Sequence, residues 1–373
     1  MSLAFPQSPV DVARRPGSPV DEERLRPRVD RALARFLDHQ EAVLAAVSPQ
    51  LAPVGDAVRE LLRGGKRLRP AFCYWGWRGA GGDGADEGAV TACAALELLQ
   101  AGALVHDDLI DRSDTRRGLP SVHRRFEALH AERGWRGDGA RYGTASAVLL
   151  GDLLLAWCDE LLADCGLDPA AVRRAKPLFD LMRTEVMAGQ YLDLLEPAAP
   201  SPDGAVERAR TVIHYKAAKY TVERPLQLGG LLAAADPALT SAYAAFGLPL
   251  GEAFQLRDDL LGVYGDPVLT GKPAGDDLRE GKRTLLVAEA LEHCGSADAR
   301  LLDDLLGAPD LDQPGLELLR GVITRSGAPQ RVEARISRLL EESLTALDAA
   351  PLADPTARRM LHRLAAAATA RRY

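Results

Sequence analysis

The feature that most constrains this chain is an apolar helical stripe that ends in carboxylates. Steps of three and four residues from Leu96 place on one stripe Leu99, Gln100, Ala103, Leu104, Asp107, Asp108 and Asp111. This spacing predicts a long helix that is apolar at its start and acidic at its end. Carboxylates one turn apart repel each other, so acids on an otherwise core-like face indicate neutralisation by divalent cations. Oxygen ligands favour Mg²⁺. The alternative for this stripe alone is a solvated helix end.

A second stripe repeats the design. It consists of small or apolar residues, a glutamine and paired aspartates, namely Gly251, Phe254, Gln255, Asp258, Asp259 and Gly262. Two such helices can place their acids opposite each other across a cavity. The sequence therefore predicts one metal site that is shared between two helices.

Cationic residues surround these two motifs. They lie in the segment GGKRLRP at residues 64–70, in the Arg116–Arg117 pair, and at Lys216, Lys272 and Lys282. The chain has 40 arginines and only six lysines, yet four lysines fall in these segments. The other two, Lys176 and Lys219, are expected at the surface. Cations beside Mg²⁺-binding acids suit a diphosphate, because they hold the oxygens that the metal ions leave uncovered.

The composition favours helices. Leu and Ala dominate and only four isoleucines are present, so strand-forming residues are scarce. Only short breaks separate the helical stretches. We therefore predict an all-α fold, a single large domain of ten or more helices around a central cavity. Residues 1–20 contain four prolines and no apolar periodicity, which predicts a disordered N-terminal arm before a domain at 21–373.

Charge and cysteine content argue against other classes of protein. A net charge of -7 disfavours nucleic-acid binding through a basic surface. The longest uncharged stretch, residues 237–251, is shorter than the roughly 20 apolar residues of a membrane span, so no membrane anchor is expected. The first twenty residues lack the apolar region of a signal peptide, and the five cysteines form no CxxC pair. A cytoplasmic protein with buried, reduced thiols is predicted.

Five segments together resemble a known family. GGKRLRP, HDDLIDRSDTRRG, GQYLD, KAAKY and FQLRDDLLGVYGDPVLTGKPAGDDLREGK follow the order and spacing of the trans-isoprenyl diphosphate synthases, or polyprenyl synthetases. The resemblance spans roughly residues 30 to 370. It implies the type I isoprenoid synthase fold and the condensation of isopentenyl diphosphate with an allylic diphosphate. A homodimer is the usual assembly in this family.

The resemblance also assigns roles to individual residues. Those expected to bind isopentenyl diphosphate without metal are Lys66, Arg69, Gln100 and Arg117. Three Mg²⁺ ions, or Mn²⁺ in their place, are expected at Asp107, Asp108, Asp111, Asp193, Asp258 and Asp259. The allylic diphosphate is expected to contact Arg116, Gln190, Lys216, Gln255, Lys272 and Lys282. The catalytic set comprises Asp107, Asp108, Asp111, Arg116, Lys216, Gln255, Asp258 and Lys272.

The implied mechanism needs no protein nucleophile. Metal ions and cations stabilise the negative charge that grows on the allylic diphosphate as its C–O bond breaks. The isopentenyl double bond then attacks, and the released diphosphate takes the proton. The loop at residues 265–281 is expected to close over the site and exclude water. The tail at residues 371–373 is a second candidate for this role, but a frayed terminus is the favoured alternative for it.

The chain departs from the family pattern at three places. Gly262 stands where many members have a third Asp, which predicts the loss of one outer metal contact. Ala217 replaces the usual Thr or Ser after Lys216 and removes a hydroxyl donor. The pentapeptide DDLLG recurs at residues 303–307 without the accompanying Gln and Lys, and we interpret this copy as a helix end.

In this family the residues four and five positions before the first Asp form the floor beneath the growing product. Here they are Ala103 and Gly102, which leave room for about one more helical turn, ~5.4 Å, before Leu99. A twenty-carbon product, geranylgeranyl diphosphate, is therefore favoured over the fifteen-carbon one. A farnesyl or longer-chain product, and a role of these small residues in helix packing alone, are the alternatives.

Three other functions are alternatives for this sequence. A class I terpene cyclase normally needs an Asn-containing second metal motif, and this chain has no Asn. A phosphohydrolase built on His106–Asp107 would need further histidine ligands, but the other histidines show no ligand spacing. A non-catalytic partner of a prenyl synthase could lose the acids, whereas this chain keeps the first cluster complete. Each of these functions is disfavoured.

Overall fold

Helices form nearly all of the structure, a computed structural model that describes residues 21–198, 203–265 and 275–370. The predicted all-α fold with ten or more helices is confirmed. Four predictions fall outside the described residues: the arm at 1–20, the tail at 371–373, Lys272, and residues 266–274 of the expected lid.

The first half of the chain contains seven long helices and two 3-10 turns, at Glu22–Arg24 and Pro49–Leu51. The helices are α1 (Leu25–Val47), α2 (Ala52–Leu62), α3 (Leu68–Gly79), α4 (Glu87–Ile110), α5 (Val122–Glu132), α6 (Gly139–Ala163) and α7 (Pro169–Ala198). The second half begins with a continuous helical segment made of α8 (Ala205–Val212), a π-helix (Ile213–Glu223) and α9 (Arg224–Leu232). It continues with α10 (Pro237–Tyr264), α11 (Asp276–Arg279), α12 (Leu285–His293), α13 (Ser296–Leu305), α14 (Gln313–Arg325), α15 (Ala328–Ala349) and α16 (Pro355–Thr369).

Helix α4 runs through the core and carries the first acidic stripe. Asp86 caps its start by accepting hydrogen bonds from the backbone N–H groups of Gly88 and Ala89. Among the described helices α4 is also the one that is long and apolar enough to cross a membrane, but 72% of its apolar window is buried within the protein. Packing against neighbouring helices therefore accounts for its apolar character.

The π-helix is packed at backbone distance against α10. A Cβ on Gly251 would lie 2.6 Å from the Cα of Ala218, and a Cβ on Gly247 would lie 2.8 Å from the Cα of Glu223. Gly189 of α7 approaches the backbone of Lys216 just as closely. Glycine is required at these contacts because any side chain would separate the helices. Both α7 and α10 are thereby held against the helix that carries Lys216.

Helix α10 joins two apolar clusters. Its first half packs into the larger cluster with residues such as Phe246 and Leu250, alongside α3, α4 and α9. Its second half enters a smaller cluster through Leu256 and Leu260, together with α12, α14 and α15. The second acidic cluster therefore lies on a helix that is fixed along its whole length.

The described strands, β1 (Thr115–Arg116) and β2 (Leu119–Pro120), form a small antiparallel hairpin just after α4. Its two turn residues, Arg117 and Gly118, both have positive φ, 54° and 75°. That is the requirement of a type I′ hairpin turn. The hairpin places the two adjacent arginines near the start of the acidic segment.

Candidate active site

Asp107 lies at the centre of the contacts around α4. Its Oδ1 accepts hydrogen bonds from Lys216 Nζ at 3.2 Å and from Gln190 Nε2 at 3.1 Å. Lys216 Nζ also donates to Asp193 Oδ2 at 2.6 Å. The GQYLD segment of α7 and the KAAKY segment of the π-helix therefore meet the first acidic cluster at one carboxylate.

Asp108, the residue after Asp107, is buried. Arg116 Nε donates to its two carboxylate oxygens at 2.8 and 3.0 Å. The Arg116 guanidinium also lies 3.5 Å from Asp107 Oδ2. Asp108 thus holds the arginine that follows the cluster, and both of its oxygens are engaged in doing so.

Asp111 ends the stripe and is paired with the second half of the chain. Lys282 Nζ lies 2.8 Å from Asp111 Oδ2 and 2.6 Å from Glu280 Oε2. Ser113 Oγ donates to the other Glu280 oxygen at 3.3 Å. Lys216 therefore neutralises Asp107, and Lys282, from a distant segment, neutralises Asp111.

The two aspartates have different pKa values because their surroundings differ. Burial raises the pKa of Asp107, but the charges of Lys216, Lys282 and Arg116 outweigh it, and the net pKa is lowered. For Asp111, burial and the negative charge of Asp107 outweigh Lys282, and the pKa is raised. Burial lowers the pKa of Lys216, yet Asp107 and Asp193 raise it overall. The lysine and Asp107 therefore stabilise each other in their charged forms.

The second acidic cluster is more deeply buried. Asp259 is only 4% exposed, and its Oδ1 accepts a hydrogen bond of 2.8 Å from Gln255 Nε2. Burial raises the pKa of Asp259 to about 8, and the negative charges of Asp277, Asp258 and Asp193 act in the same direction. Four carboxylates from three chain segments are thus close enough to repel one another. A bound divalent cation would relieve this repulsion.

Asp277 of α11 fills the space beside Gly262. An ideal Cβ on Gly262 would overlap the carboxylate of Asp277. The loss of one outer metal contact at Gly262 stays a prediction. The side chain absent from residue 262 is replaced by a carboxylate from α11, fifteen positions further along the chain.

The predicted metal-free anion residues also converge. The Arg69 guanidinium stacks on the Tyr220 ring at 4.2 Å, and its Nη2 donates to Thr221 Oγ1 at 2.8 Å. The Tyr220 hydroxyl donates to Gln100 Oε1 at 2.8 Å. This contact uses the amide oxygen of Gln100, so its amide nitrogen is the group that can donate to a ligand. Arg117 approaches Gly65, next to the exposed Lys66. The π-helix therefore supports Arg69 and Gln100 as well as carrying Lys216.

Several residues that contact this site had no role in the sequence analysis. They are Arg67, Glu97, Thr221, Glu280 and Asp277. Arg67 lies in GGKRLRP, Asp277 and Glu280 lie in GDDLREGK, and Thr221 directly follows KAAKY, so position in or beside these motifs is the signal that could have found them. Lys219, expected at the surface, is instead half-buried and lies 3.2 Å from Glu223. The second DDLLG copy lies at the end of α13, where Asp303 is exposed and pairs with Arg283.

The two expected floor positions face different surroundings. A Cβ on Gly102 would lie 3.1 Å from the Gly151 carbonyl and 3.2 Å from Leu155, both on α6. The missing side chain at Gly102 therefore serves the close packing of α4 on α6, which was the alternative for this position. Ala103 is half-buried, and Leu99 is fully buried one turn earlier. Ala103 is left as the candidate floor residue.

The donor set fits a hard divalent cation. Asp107, Asp111, Asp193 and Asp258 offer only oxygen ligands, which Mg²⁺ prefers. Among the described residues no three acidic, histidine or cysteine side chains are close enough to bind one ion as arranged. Lys216 and Lys282 lie beside Asp107 and Asp111 instead. Mg²⁺ is commonly bound in proteins through one or two carboxylates, with the remaining ligands from water and substrate phosphates.

The structure thus combines an all-α fold with aspartates on two helices, α4 and α10, and with basic side chains paired to those of α4. The sequence profile of the polyprenyl synthetase family matches residues 52–316, and the chain belongs to this family. It is a trans-prenyltransferase that acts on prenyl diphosphates, and the family is metal-dependent.

Individual relatives agree with this assignment. The chain is 30% identical over 332 residues to the geranylfarnesyl diphosphate synthase of Aeropyrum pernix, which covers 88% of this chain and 97% of the relative. The crystal structure of a geranylgeranyl pyrophosphate synthase from Corynebacterium glutamicum, complexed with isoprenyl diphosphate and magnesium, matches with a TM-score of 0.90. Sequence identity is 39%, over 94% of this chain and all of that chain. A polyprenyl synthase from Caulobacter crescentus, complexed with calcium and isoprenyl diphosphate, has a TM-score of 0.75 and 26% identity, over 96% of this chain and 100% of that one.

Proposed function

We propose that this chain makes geranylgeranyl diphosphate by Mg²⁺-assisted condensation of isopentenyl diphosphate with an allylic diphosphate. The observation that carries the proposal is the position of Lys216 Nζ, 2.6 Å from Asp193 and 3.2 Å from Asp107. One ammonium group therefore lies between carboxylates of two helices. From this position it can donate hydrogen bonds to a diphosphate leaving group that both helices bind. One relative is named a geranylfarnesyl diphosphate synthase, and that name denotes a twenty-five-carbon product. Product chain length therefore needs its own test.

Isopentenyl diphosphate would bind at Lys66, Arg69, Gln100 and Arg117. Burial lowers the pKa of Arg117, and the neighbouring charges of Arg116 and Arg67 lower it further. Cations crowded in this way gain most when a diphosphate enters between them. Among the described residues the buried Nε of Arg69 has no hydrogen-bond partner, which leaves one donor for a ligand. These side chains would hold the nucleophilic substrate with its double bond toward the acidic clusters.

The allylic diphosphate would bind between the two acidic helices. Asp107 and Asp111 from one side, with Asp193, Asp258 and Asp259 from the other, would hold Mg²⁺. When bound, the ions supply Lewis-acid stabilisation of the negative charge on the departing diphosphate. Arg116, Gln190, Lys216, Gln255 and Lys282 would add hydrogen bonds to oxygens that the ions leave uncovered, and Lys272 completes the predicted set. Asp108 would contribute through Arg116, which it holds with both oxygens.

No basic side chain is required for the last step. Both lysines closest to the acids are held in their charged form, since neighbouring carboxylates raise the pKa values of Lys216 and Lys282 despite burial. They can donate hydrogen bonds but cannot accept the proton lost on condensation. The released diphosphate is the better acceptor, in line with the family mechanism.

A homodimer in the cytoplasm is the proposed state of the enzyme. Neighbouring helices α6 and α7 expose large apolar side chains, with Leu149 69% exposed and Tyr191 65% exposed. Exposed apolar side chains of this size are typical of a surface that is covered in the assembled protein. Light scattering should give twice the mass of one chain, and Leu149→Asp should halve it. The cytoplasmic assignment is supported by four buried free cysteines, Cys73, Cys93, Cys158 and Cys165.

The deciding experiment is product analysis. The purified chain is incubated with Mg²⁺, isopentenyl diphosphate and each allylic starter, and the dephosphorylated products are identified by mass. A twenty-carbon alcohol supports the full proposal, whereas fifteen or twenty-five carbons keep the reaction and overturn the product. Asp107→Ala should lower kcat by several orders of magnitude, because about 1.4 kcal/mol of lost stabilisation is a tenfold rate change. Equal activity in that variant would favour the non-catalytic alternative.

A further inference from the structure

Arg67 is the one basic residue of GGKRLRP to which the proposed function gives no role. Its side chain is 5% exposed and lies inside the protein. Nε donates to Asp30 Oδ1 at 2.9 Å, Nη1 to Glu97 Oε2 at 2.5 Å, and Nη2 to the Leu62 carbonyl at 2.7 Å. One guanidinium therefore ties together α1, α4 and the end of α2.

The backbone at Arg67 is strained. Its φ is +52°, in the left-handed region, and it directly precedes the first residue of α3. A long side chain adopts this conformation only where surrounding contacts hold it. The three hydrogen bonds of the guanidinium supply those contacts. The flanking Lys66 and Arg69, both proposed to hold isopentenyl diphosphate, take their directions from this backbone.

Glu97 is the carboxylate on the other side of the contact. It is 7% exposed and lies on α4, one turn before Gln100. The guanidinium groups of Arg67 and Arg117 both lie beside Gly65, at 3.3 and 3.7 Å from the position of its missing Cβ. Burial and the charges of Arg116 and Arg67 lower the pKa of Arg117, and the charge of Glu97 opposes them. Glu97 thus faces two arginines at the edge of the isopentenyl diphosphate site.

We infer that the buried Arg67–Glu97 ion pair is a positioning element for the isopentenyl diphosphate site, holding residues 64–69 so that Lys66, Arg69 and Arg117 can bind one diphosphate. The inference rests on the proposed function. Neither member of the pair touches the substrate. The pair acts by fixing a strained turn and by keeping three cations together before the anion arrives.

Binding in the absence of metal tests this inference, because the isopentenyl diphosphate site is the one expected to work without Mg²⁺. Calorimetric titration of the full chain with isopentenyl diphosphate in EDTA measures that site alone. Arg67→Lys keeps the positive charge but cannot make the three hydrogen bonds of the guanidinium to Asp30, Glu97 and Leu62. We expect its Kd to rise at least tenfold, while binding of an allylic diphosphate with Mg²⁺ changes less than twofold. An unchanged Kd in EDTA would overturn the inference.

A second variant separates positioning from charge. Glu97→Gln removes a negative charge beside an anion site, so charge alone predicts tighter binding of isopentenyl diphosphate. Positioning predicts weaker binding, because the ion pair that holds Arg67 is lost. A lower or equal Kd would therefore overturn the inference. Glu185→Gln is the matched control, since Glu185 makes two 2.7 Å contacts to Arg224 away from this site. If the unaltered chain does not bind isopentenyl diphosphate in EDTA, that result contradicts the proposed isopentenyl diphosphate site and not the role of the ion pair.

Discussion

The carboxylate of Asp277 lies where a side chain on residue 262 would begin, so Gly262 and Asp277 fit together only because glycine has no Cβ. The backbone of the same two segments is joined by a 2.9 Å hydrogen bond from Gly275 N–H to the Gly262 carbonyl. Asp277 also contributes to the raised pKa of Asp259 and of Lys282. A carboxylate from α11 therefore occupies the space beside residue 262.

This arrangement predicts a rescue by a second substitution. In the presence of inorganic diphosphate, Mg²⁺ should raise the Tm of the unaltered chain. Asp277→Asn should need an Mg²⁺ concentration at least fivefold higher for the same rise in Tm, because a carboxylate near the ions is lost. Asp277→Ala should weaken the response in the same way and also removes the carboxylate that a Cβ on residue 262 would overlap, so adding Gly262→Asp to Asp277→Ala should recover part of the Mg²⁺ response. Gly262→Asp alone should lower Tm, since its Cβ overlaps Asp277. An Mg²⁺ response that is the same in Asp277→Asn as in the unaltered chain would contradict this account.

Lys216 should matter for the leaving group and little for stability. Replacing it with Met removes the ammonium between Asp107 and Asp193, and we expect kcat to fall by about 10²–10³-fold, the usual effect of losing one preorganised donor to developing negative charge. The measurement is steady-state turnover with saturating Mg²⁺ and isopentenyl diphosphate. Tm measured with Mg²⁺ and diphosphate should change by less than about 3 °C, because the ions then neutralise both acids.

Lys219→Met is the matched control for that variant. Lys219 lies three residues further along the same π-helix, is also half-buried, and pairs with Glu223 instead of the active-site acids. We expect its kcat to stay within threefold of the unaltered chain. Equal losses in both variants would show that damage to the π-helix, and not the missing ammonium at residue 216, causes the effect.

The fold class followed from the sequence because helical periodicity is local. Spacing of three and four residues assigns Leu96, Asp107 and Asp111 to one face whatever the rest of the chain does. The scarcity of strand formers removed the competing classes. Both arguments use only neighbours along the chain, and both the all-α architecture and the family are confirmed.

The partners of each side chain did not follow from the sequence because they join distant segments. Lys216 contacts Asp107 across 109 positions, and Arg69 contacts Thr221 across 152. The surroundings of Gly102 depend on the path of α6, which periodicity does not determine. The π-helix also changes which residues share a face, since its turn is wider than the 3.6 residues that a pattern analysis assumes. Position in the family motifs, and not spacing, was the available signal for such residues.

The raised pKa of Asp259 predicts a stability that depends on pH. Its ordinary value is 3.8, and burial raises the pKa to about 8 in the folded protein. Between these values the folded chain keeps a proton that the unfolded chain has released, so metal-free stability falls as pH rises from about 4 to about 8. Asp259→Asn removes this loss. We expect its advantage in Tm over the unaltered chain, measured in EDTA, to be about 2–4 °C larger at pH 8 than at pH 5.

Two controls accompany that measurement. Asp304→Asn alters the matching residue of the second DDLLG copy, which is exposed at the end of α13, and should change Tm by less than 1 °C at pH 8, about the size expected for a surface substitution. Saturating Mg²⁺ with diphosphate should remove the advantage of Asp259→Asn at pH 8, because bound cations favour the charged carboxylate. An advantage that is equal at both pH values would mean that Asp259 is ionised in the folded, metal-free protein.

The two small residues before the first aspartate should respond differently to added bulk. Ala103→Phe places a large ring on the half-buried face of α4 one turn after Leu99, and the main product should shorten from twenty to fifteen carbons. Gly102→Ala adds a methyl group 3.1 Å from the Gly151 carbonyl and 3.2 Å from Leu155, so α4 and α6 must separate slightly. We expect a cost of about 1 kcal/mol in unfolding free energy and no change in product. Product mass analysis and thermal denaturation of both variants separate the effects, and a shorter product from Gly102→Ala would return that residue to the floor of the cavity.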